Sequence, residues 1–377
     1  MFSGYIVLLP VLLVSPIAIR NGTAAEPSSL PVRRMAPAEK VSFPVPPPTA
    51  VLTRTKCDVD GNVYVVETNA PATLLDPRGL SGVPVLKLSI SSKSTVAYPV
   101  PALDGYRGVI RSDFDISNGK LYALVQALDA SAGKDARASS LLVKYGDDGT
   151  VDSYVKLGDP PTGHLQPSQV TVFHGGSVLV TGTVASEEGS LRPVAAIFNG
   201  SSGRFVSYVN VTDYEKSPKS SESGKAPAEE SDSGRAIGLA SSTLMAAGAD
   251  GNVYALVGAA HSRIYVISPI GDVIREFPVP LPAQGLATSN MGTAGTSGLF
   301  VSFGMVHGVS AESGNAHEAG NFVSFLNAQT GEATAVYQLS NDDGAEIPAC
   351  AASADSFLFL GGSADHQRQQ ITKYSAR

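Results

Sequence analysis

Short apolar stretches separated by polar turns recur along the whole chain. A tight turn precedes a first apolar stretch, a second stretch follows, and a third carries a single aromatic residue. The first stretches are 63–66, 121–124, 178–180, 253–256, 299–301 and 357–359. Their starts are separated by 58, 57, 75, 46 and 58 residues. Spacings of this size, filled with short strands and turns, predict an all-β protein built from repeated small sheets.

The strand count predicts a six-bladed β-propeller of four-stranded antiparallel blades. Six second stretches begin near residues 85, 142, 195, 264, 322 and 371, but the third stretch appears only five times, near residues 96, 151, 205, 273 and 335. The missing strand is predicted at 41–46, because its sequence VSFPVP resembles VAYPVP at 96–101. We therefore expect the N-terminal strand to complete the last blade and to remove an open sheet edge.

Composition agrees with a turn-rich β protein. The 377 residues include 38 Gly and 25 Pro, and only 16% are charged, so helices are expected to be nearly absent. The net charge of -7 is spread along the chain, without a Lys/Arg stripe interleaved with aromatics. Nucleic acid is therefore not expected as a partner.

The N-terminus predicts an export signal. An apolar run at 5–19 is followed by small residues at 22–25, so residues 1–25 are read as a cleaved signal peptide. The alternative is a retained anchor, but the run is shorter than the ~20 residues that span a bilayer, so no transmembrane span is expected in the mature chain. Residues 26–40 are predicted to be a flexible tether, 41–377 the propeller, and 213–235 a disordered insertion. The expected location is the bacterial periplasm or the exterior, as a monomer.

Cys57 and Cys350 each precede a first stretch of the repeat, in the first and last predicted blades. These blades are neighbours once the ring closes, so the two residues either form a disulfide or remain two buried thiols. Alternating charges at Arg54 and Lys56, and at Arg111, Asp113 and Asp115, are predicted to line the central channel.

The long polar loops are predicted to emerge on one face, here called the long-loop face, while the minimal turns lie on the other, the short-turn face. Function tends to lie on loops held by a rigid scaffold, so we expect binding on the long-loop face. The candidate residues there are Arg107, His164, His307, His317, Asp342, Asp343, Glu346 and His366. The acidic group near 342–346 is placed to hold a hard cation at the channel mouth, although the same residues suit a plain turn.

The phrases DGNVYV at 60–65, DGNVY at 250–254 and SPIGDV at 268–273 resemble six-bladed propellers of the NHL-repeat and streptogramin-lyase-like group. The resemblance spans residues 41–377 and implies the fold. Related gluconolactonase-type enzymes bind a divalent metal through a Glu, Asn and Asp set. This chain has no Trp and no Glu-Gly-Pro opening to match. DVDGN at 58–62 is similar to a calcium loop without the later Glu, and it equally suits a strand turn.

Two functions remain open from the sequence. The first is an exported, non-catalytic propeller that binds a small molecule or a protein through its long-loop face, with no cofactor. The alternative is a metal-dependent hydrolase, lactonase or lyase that uses Ca²⁺ or Zn²⁺ at the mouth of the central channel.

Overall fold

The computed structural model describes residues 30–44, 55–66, 82–131, 133, 137–186, 189–209, 244–258, 262–283, 286–294, 298–305, 322–339, 347–353, 356–362 and 368–376. Within these ranges the chain forms strands and turns and contains no helix, as the sequence predicted. The predicted signal peptide and the predicted insertion at 213–235 lie outside the described residues.

Sixteen of the strands form four separate four-stranded sheets, each built in sequence order from antiparallel neighbours. The first sheet contains β2 (Thr55–Cys57), β3 (Val63–Val66), β4 (Val85–Ser89) and β5 (Ser94–Tyr98). The second contains β6 (Tyr106–Ser117), β7 (Lys120–Asp129), β8 (Ser139–Tyr145) and β9 (Val151–Lys156). The third contains β10 (His164–Val172), β11 (Ser177–Ala185), β12 (Leu191–Asn199) and β13 (Phe205–Tyr208). The fourth contains β14 (Leu244–Ala247), β15 (Val253–Val257), β16 (Arg263–Ile267) and β17 (Val273–Pro278).

The remaining eight strands form one closed, barrel-like sheet, which is a departure from the six separate sheets that the sequence predicted. Its members are β1 (Val32–Phe43), β18 (Leu286–Ala294), β19 (Gly298–Met305), β20 (Phe322–Asn327), β21 (Ala333–Leu339), β22 (Ile347–Ser353), β23 (Ser356–Gly362) and β24 (Gln369–Ala376). Two short parallel pairings close this sheet. β18 meets β22 at Ala294 and Ala351, and β1 meets β21 over Val32 to Met35.

The N-terminal strand β1 pairs antiparallel with the last strand β24, with Val41 opposite Ile371 and Phe43 opposite Gln369. This strand begins at Val32 rather than at Val41, so most of the segment predicted as a flexible tether is strand. Most side chains of this segment are exposed, which is why the sequence predicts a flexible tether. Met35, however, is only 1% exposed and anchors the segment in the core. Backbone pairing with two sheet edges holds these residues in place even though few of their side chains are apolar.

The core consists of apolar layers between successive sheets. Tyr64 packs with Phe114 between the first and second sheets, and Leu142 packs with Val172 between the second and third. Two further layers join the third sheet to the fourth and the fourth to β18–β21. Phe300 packs with Phe357 between β18–β21 and β22–β24. The last layer contains Phe43 and Val63 and joins β22–β24 and β1 to the first sheet. The arrangement is therefore propeller-like, because each set of strands buries both faces against its neighbours.

The first strands of the successive sets also contact one another in a closed cycle: β2, β6, β10, β14, β18, β22 and back to β2. These inner strands surround the axis of the molecule. Their C-terminal ends lead into short turns, such as Asn118–Gly119 and Gly175–Gly176.

Turn glycines bring neighbouring sheets into close contact. Gly149, in the turn between β8 and β9, has φ of 84°, and a Cβ there would overlap the carbonyl oxygen of Ala97 in the preceding sheet. Gly203 repeats this arrangement against Lys156, with φ of 70°. A side chain would be strained at such φ and would also push two sheets apart, which explains the Gly in these turns.

Candidate functional site

A cavity of about 110 Å³ lies on the axis, at the end where the inner strands meet the short turns. We call it the axial cavity. It is lined by β2, by the C-terminal parts of β6, β14 and β18, and by Ala349 and Cys350 of β22. Turn residues Asp58, Asn118 and His174 complete the rim. Every set of strands therefore contributes to this space, the third set through the turn residue His174 alone.

Lys56 crosses this space from one side of the ring to the other. Its Nζ lies 3.1 Å from Oδ1 of Asp115 on β6 and donates a 2.9 Å hydrogen bond to the carbonyl oxygen of Met245 on β14. Strands β2 and β14 lie three steps apart in the cycle of inner strands. The ammonium group thus links two neighbouring sheets and the sheet opposite.

Two carboxylates of β6 accept hydrogen bonds from the backbone edge of β10, the next inner strand. Oδ2 of Asp113 accepts a 2.8 Å hydrogen bond from the backbone N–H of Val170, and Oδ2 of Asp115 accepts a 2.7 Å bond from that of Val172. Inner strands of separate sheets do not share a β-ladder, so their edge N–H groups need other acceptors. Asp113 and Asp115 supply them at alternate residues, as the pleat requires.

Burial shifts the ionisation of the charged groups along β6. The carboxyl of Asp115 is fully buried, and this desolvation raises its pKa, with Lys56 and the N–H of Val172 acting in the opposite direction. Burial likewise lowers the pKa of the Arg111 guanidinium, whose Nη1 donates a 2.6 Å hydrogen bond to the carbonyl oxygen of Val83. Each of these charges is stabilised by a partner from a neighbouring sheet.

Part of the lining of the axial cavity is apolar and rich in sulfur. Met245, Met291 and Phe300 line it, and so does a disulfide between Cys57 and Cys350. The Cα atoms of the two cysteines are 6.0 Å apart, and the bond joins β2 to β22 across 293 residues of chain. Of the two alternatives that the sequence left open, the structure contains the disulfide.

The DVDGN segment forms a turn whose carboxylate is already satisfied. Oδ1 of Asp58 accepts a 2.9 Å hydrogen bond from the N–H of Asn62, and Oδ2 accepts one of 2.8 Å from its side-chain amide. The hydroxyl of Tyr64 donates a further bond of 3.1 Å to Oδ2. These bonds give Asp58 a structural role in the turn.

The structure places only part of the candidate set from the sequence. Arg107 is exposed near the start of β6, and His164 begins β10, where its Nδ1 lies 3.1 Å from Oδ1 of Asp159. Both lie at the end of the ring opposite the axial cavity. The other long-loop candidates lie outside the described residues, so their convergence stays a prediction: His307, His317, Asp342, Asp343, Glu346 and His366. Arg54, which the sequence predicts in the channel, also lies outside the described residues.

Sequence reasoning identified Lys56 and Asp115 as channel residues, and both line the cavity. It missed His174, whose Nδ1 lies 3.3 Å from Oδ1 of Asn118, and it missed both methionines. The alternation of charges signalled the first pair. No sequence signal marks Met245, because its contribution to Lys56 is a backbone carbonyl oxygen.

No group of three or more His, Cys, Asp or Glu side chains in the described ranges is placed to hold a metal ion. Within the same ranges, no helix has the length and apolar character needed to cross a membrane.

No protein-family model matches the chain, and no curated protein matches it in sequence. Among solved structures, the chain is similar to a protein of unknown function from Dyadobacter fermentans, with 11% identity, 91% of this chain and 99% of that chain covered, and a TM-score of 0.48. It is similar to a PQQ-bound aldose sugar dehydrogenase from Streptomyces coelicolor, with 10% identity, 91% and 100% coverage, and a TM-score of 0.42. It is also similar to a glucose dehydrogenase-like oxidoreductase from Thermus thermophilus, with 13% identity, 90% of this chain and 99% of that chain covered, and a TM-score of 0.43. Similarity at this level assigns no activity to the chain.

Proposed function

We propose that this chain is an exported six-bladed propeller that binds a small molecule or a protein partner and is not itself catalytic. The blade count follows from dividing the eight-stranded sheet into β18–β21 and β22–β24 with β1. In the described residues, the β-pairing between these two halves is limited to two short parallel stretches, whereas within each half the antiparallel ladders are long. Each half then resembles the four separate sheets.

One observation carries the functional part of the proposal. The described charges at the axis are bonded to the frame of the ring: Lys56 to Asp115 and Met245, and Asp113 to Val170. A general acid or base must exchange protons with a substrate, and a metal ligand must offer an unshared carboxylate. Groups that hold the sheets together are poorly suited to either task, which favours binding by the loops.

Metal analysis separates this proposal from the metal-dependent hydrolase, lactonase or lyase. The full chain is purified without chelator, its calcium and zinc are measured, and its melting temperature is followed with EDTA and after adding back each ion. We expect substoichiometric metal and an unchanged melting temperature. Stoichiometric calcium or zinc, whose removal lowers the melting temperature, would overturn the proposal in its simple, metal-free form, because a resident ion stabilises the folded state that binds it.

A second experiment tests the long-loop face. A small-molecule library is screened by thermal shift on the full chain, and hits are repeated on Arg107→Ala and His164→Ala. Lys120→Ala is the matched control, because Lys120 is a solvent-accessible cation beside a short turn. We expect hits to weaken in the two long-loop variants and to persist in the control. Hits that persist in both long-loop variants but disappear in Lys56→Met would instead place binding in the axial cavity.

A further inference from the structure

The N-terminal strand β1 is bound mainly through its backbone, in the way that a sheet edge binds an extended peptide. Of its twelve residues, only Met35, Val41 and Phe43 are buried, at 1%, 6% and 0% exposure. The rest of the strand contributes its backbone. It pairs antiparallel with β24 over Met35 to Phe43 and parallel with β21 over Val32 to Met35. Main-chain pairing with a few apolar anchors is the way sheet edges recognise added strands.

Closure of the ring has a second support that does not involve β1. The disulfide joins β2 directly to β22. Val63 and Leu86 of the first sheet also share an apolar cluster with Leu358 and Leu360 of β23. Departure of β1 would remove Val41 and Phe43 from this cluster but would leave the disulfide and these contacts in place. Release of the strand is therefore a local event.

The connection that follows β1 is long enough to reach a neighbouring molecule. Residues 44–54 separate the end of β1 from the start of β2. At the maximum rise of a polypeptide, eleven residues span about 35–40 Å. A released strand thus has a reach comparable with the size of a small domain.

We infer that the edge of β24, with the adjoining edge of β21, is a strand-binding site that accepts the N-terminal strand of a second copy of this chain. The site is complementary to this strand, because β1 of a second copy would make the same pairings with β24 and β21 that β1 makes within its own chain. Those pairings include a favourable one, with Glu39 opposite Lys373. Reciprocal exchange gives a closed two-fold dimer in which each copy completes the last sheet of the other.

Protein concentration decides between the two arrangements. The contacts of β1 are the same in both, so the monomer is favoured only by the effective concentration of its own tethered strand. That concentration is of the order of millimolar for short flexible linkers. Exchange is therefore expected in concentrated samples and is slow when the strand must first be released.

Cysteine trapping tests this inference with two single variants of the full chain. Ser42 and Gln370 are register partners, and Nε2 of Gln370 lies 3.4 Å from Oγ of Ser42. Ser42→Cys and Gln370→Cys are purified separately, mixed at high concentration and oxidised gently. The control mixture is Lys144→Cys with Ser153→Cys, which are register partners within the internal hairpin β8–β9.

We expect at least a tenfold excess of mixed covalent dimer in the first mixture over the control mixture, identified by mass, and few dimers of either variant alone. Equal yields in the two mixtures would overturn strand exchange. The double variant Ser42→Cys/Gln370→Cys, made in one chain, should form an intramolecular bond in dilute solution. Failure of that bond would contradict the placement of β1 on which the inference rests.

Discussion

Two turns with nearly the same sequence place their carboxylate at different positions. In the first, Asp58 accepts bonds from Asn62 and Tyr64. In the second, Asp250 accepts bonds from Asn252 and the hydroxyl of Tyr254. The residue that corresponds to Asp58 in the second turn is Gly248. A Cβ at that glycine would lie 2.6 Å from Oδ1 of Asp250. An aspartate at position 248 and the observed position of the Asp250 carboxylate therefore exclude each other. In both turns a carboxylate holds a buried tyrosine hydroxyl.

Replacing Asp58 should therefore destabilise the protein, whereas replacing the neighbouring Asp60 should not. Asp58→Ala leaves the Tyr64 hydroxyl and the Asn62 amide without their acceptor. We expect a loss of about 1–3 kcal/mol in the free energy of unfolding, measured by chemical denaturation. Asp60→Ala is the control, since Asp60 is exposed, and a change within about 0.5 kcal/mol is expected. Equal losses in the two variants would contradict the role given to Asp58.

Removing the cation at the axis should strengthen the dependence of stability on pH. In Lys56→Met, the buried Asp115 loses its ion pair, and we expect a loss of about 3 kcal/mol near neutral pH. Burial raises the pKa of Asp115 in the folded state. Its protonated form is therefore favoured by folding, and stability falls as pH rises from the unfolded pKa through the folded one. Without Lys56 the pKa of Asp115 rises further. The loss in the free energy of unfolding of the variant should therefore be smaller at pH 5 than at pH 8.

The double variant Lys56→Met/Asp115→Asn is the control for this pH effect. It has no buried carboxylate at this position, so the difference between pH 5 and pH 8 should largely disappear in chemical denaturation. Retention of the full pH dependence in the double variant would show that another group causes it.

Strand β1 shows how a segment with little apolar character becomes ordered. Its exposed residues, such as Arg33 and Lys40, resemble those of a linker, which is why the sequence predicts a flexible tether over 26–40. The strand is ordered because two sheet edges, in β24 and β21, lack a partner without it. An edge strand needs few buried side chains when its backbone hydrogen bonds are satisfied.

At the level of this element, we expect stability to depend on the anchors of β1 and not on the residues between them. Phe43 is completely buried, so Phe43→Ala should reduce the free energy of unfolding by about 3–5 kcal/mol. Ser42 is exposed, so Ser42→Ala serves as the matched control and should change little. Deletion of residues 41–46 should cost at least as much as Phe43→Ala. An unchanged stability after that deletion would contradict the role of β1 in closure.

The whole molecule is a ring of sheets whose first and last members are joined in two ways. The disulfide links their inner strands, and β1 completes the outer part of the last set. Lys56 adds a bond across the ring at the axial cavity. Covalent closure acts over most of the chain length, so it greatly restricts the unfolded state.

Removal of the disulfide should therefore lower global stability while leaving the sheets intact. For Cys57→Ser/Cys350→Ser we expect a loss of about 2–5 kcal/mol, measured by chemical denaturation. Hydrogen exchange should increase most at the boundary between β2 and β22. Adding a reductant to the double variant should have no further effect, which is the control. Uniformly faster exchange in all sheets, without a local maximum there, would contradict the ring-closing role of the bond.

The all-β class, the turns and the repeated strands can be predicted from the amino-acid sequence. These features are predictable because alternating apolar positions and turn glycines act over a few residues. The sequence also indicates the pairing of the two chain ends and the channel positions of Lys56 and Asp115. The contacts that these groups make are visible only in the folded molecule. Strand β1 extends back to Val32, the last two sets of strands join into one sheet, and Lys56 reaches Met245 on the far side of the ring. These features depend on edges and carbonyl oxygens distant in sequence, which leave no local pattern for the sequence to show.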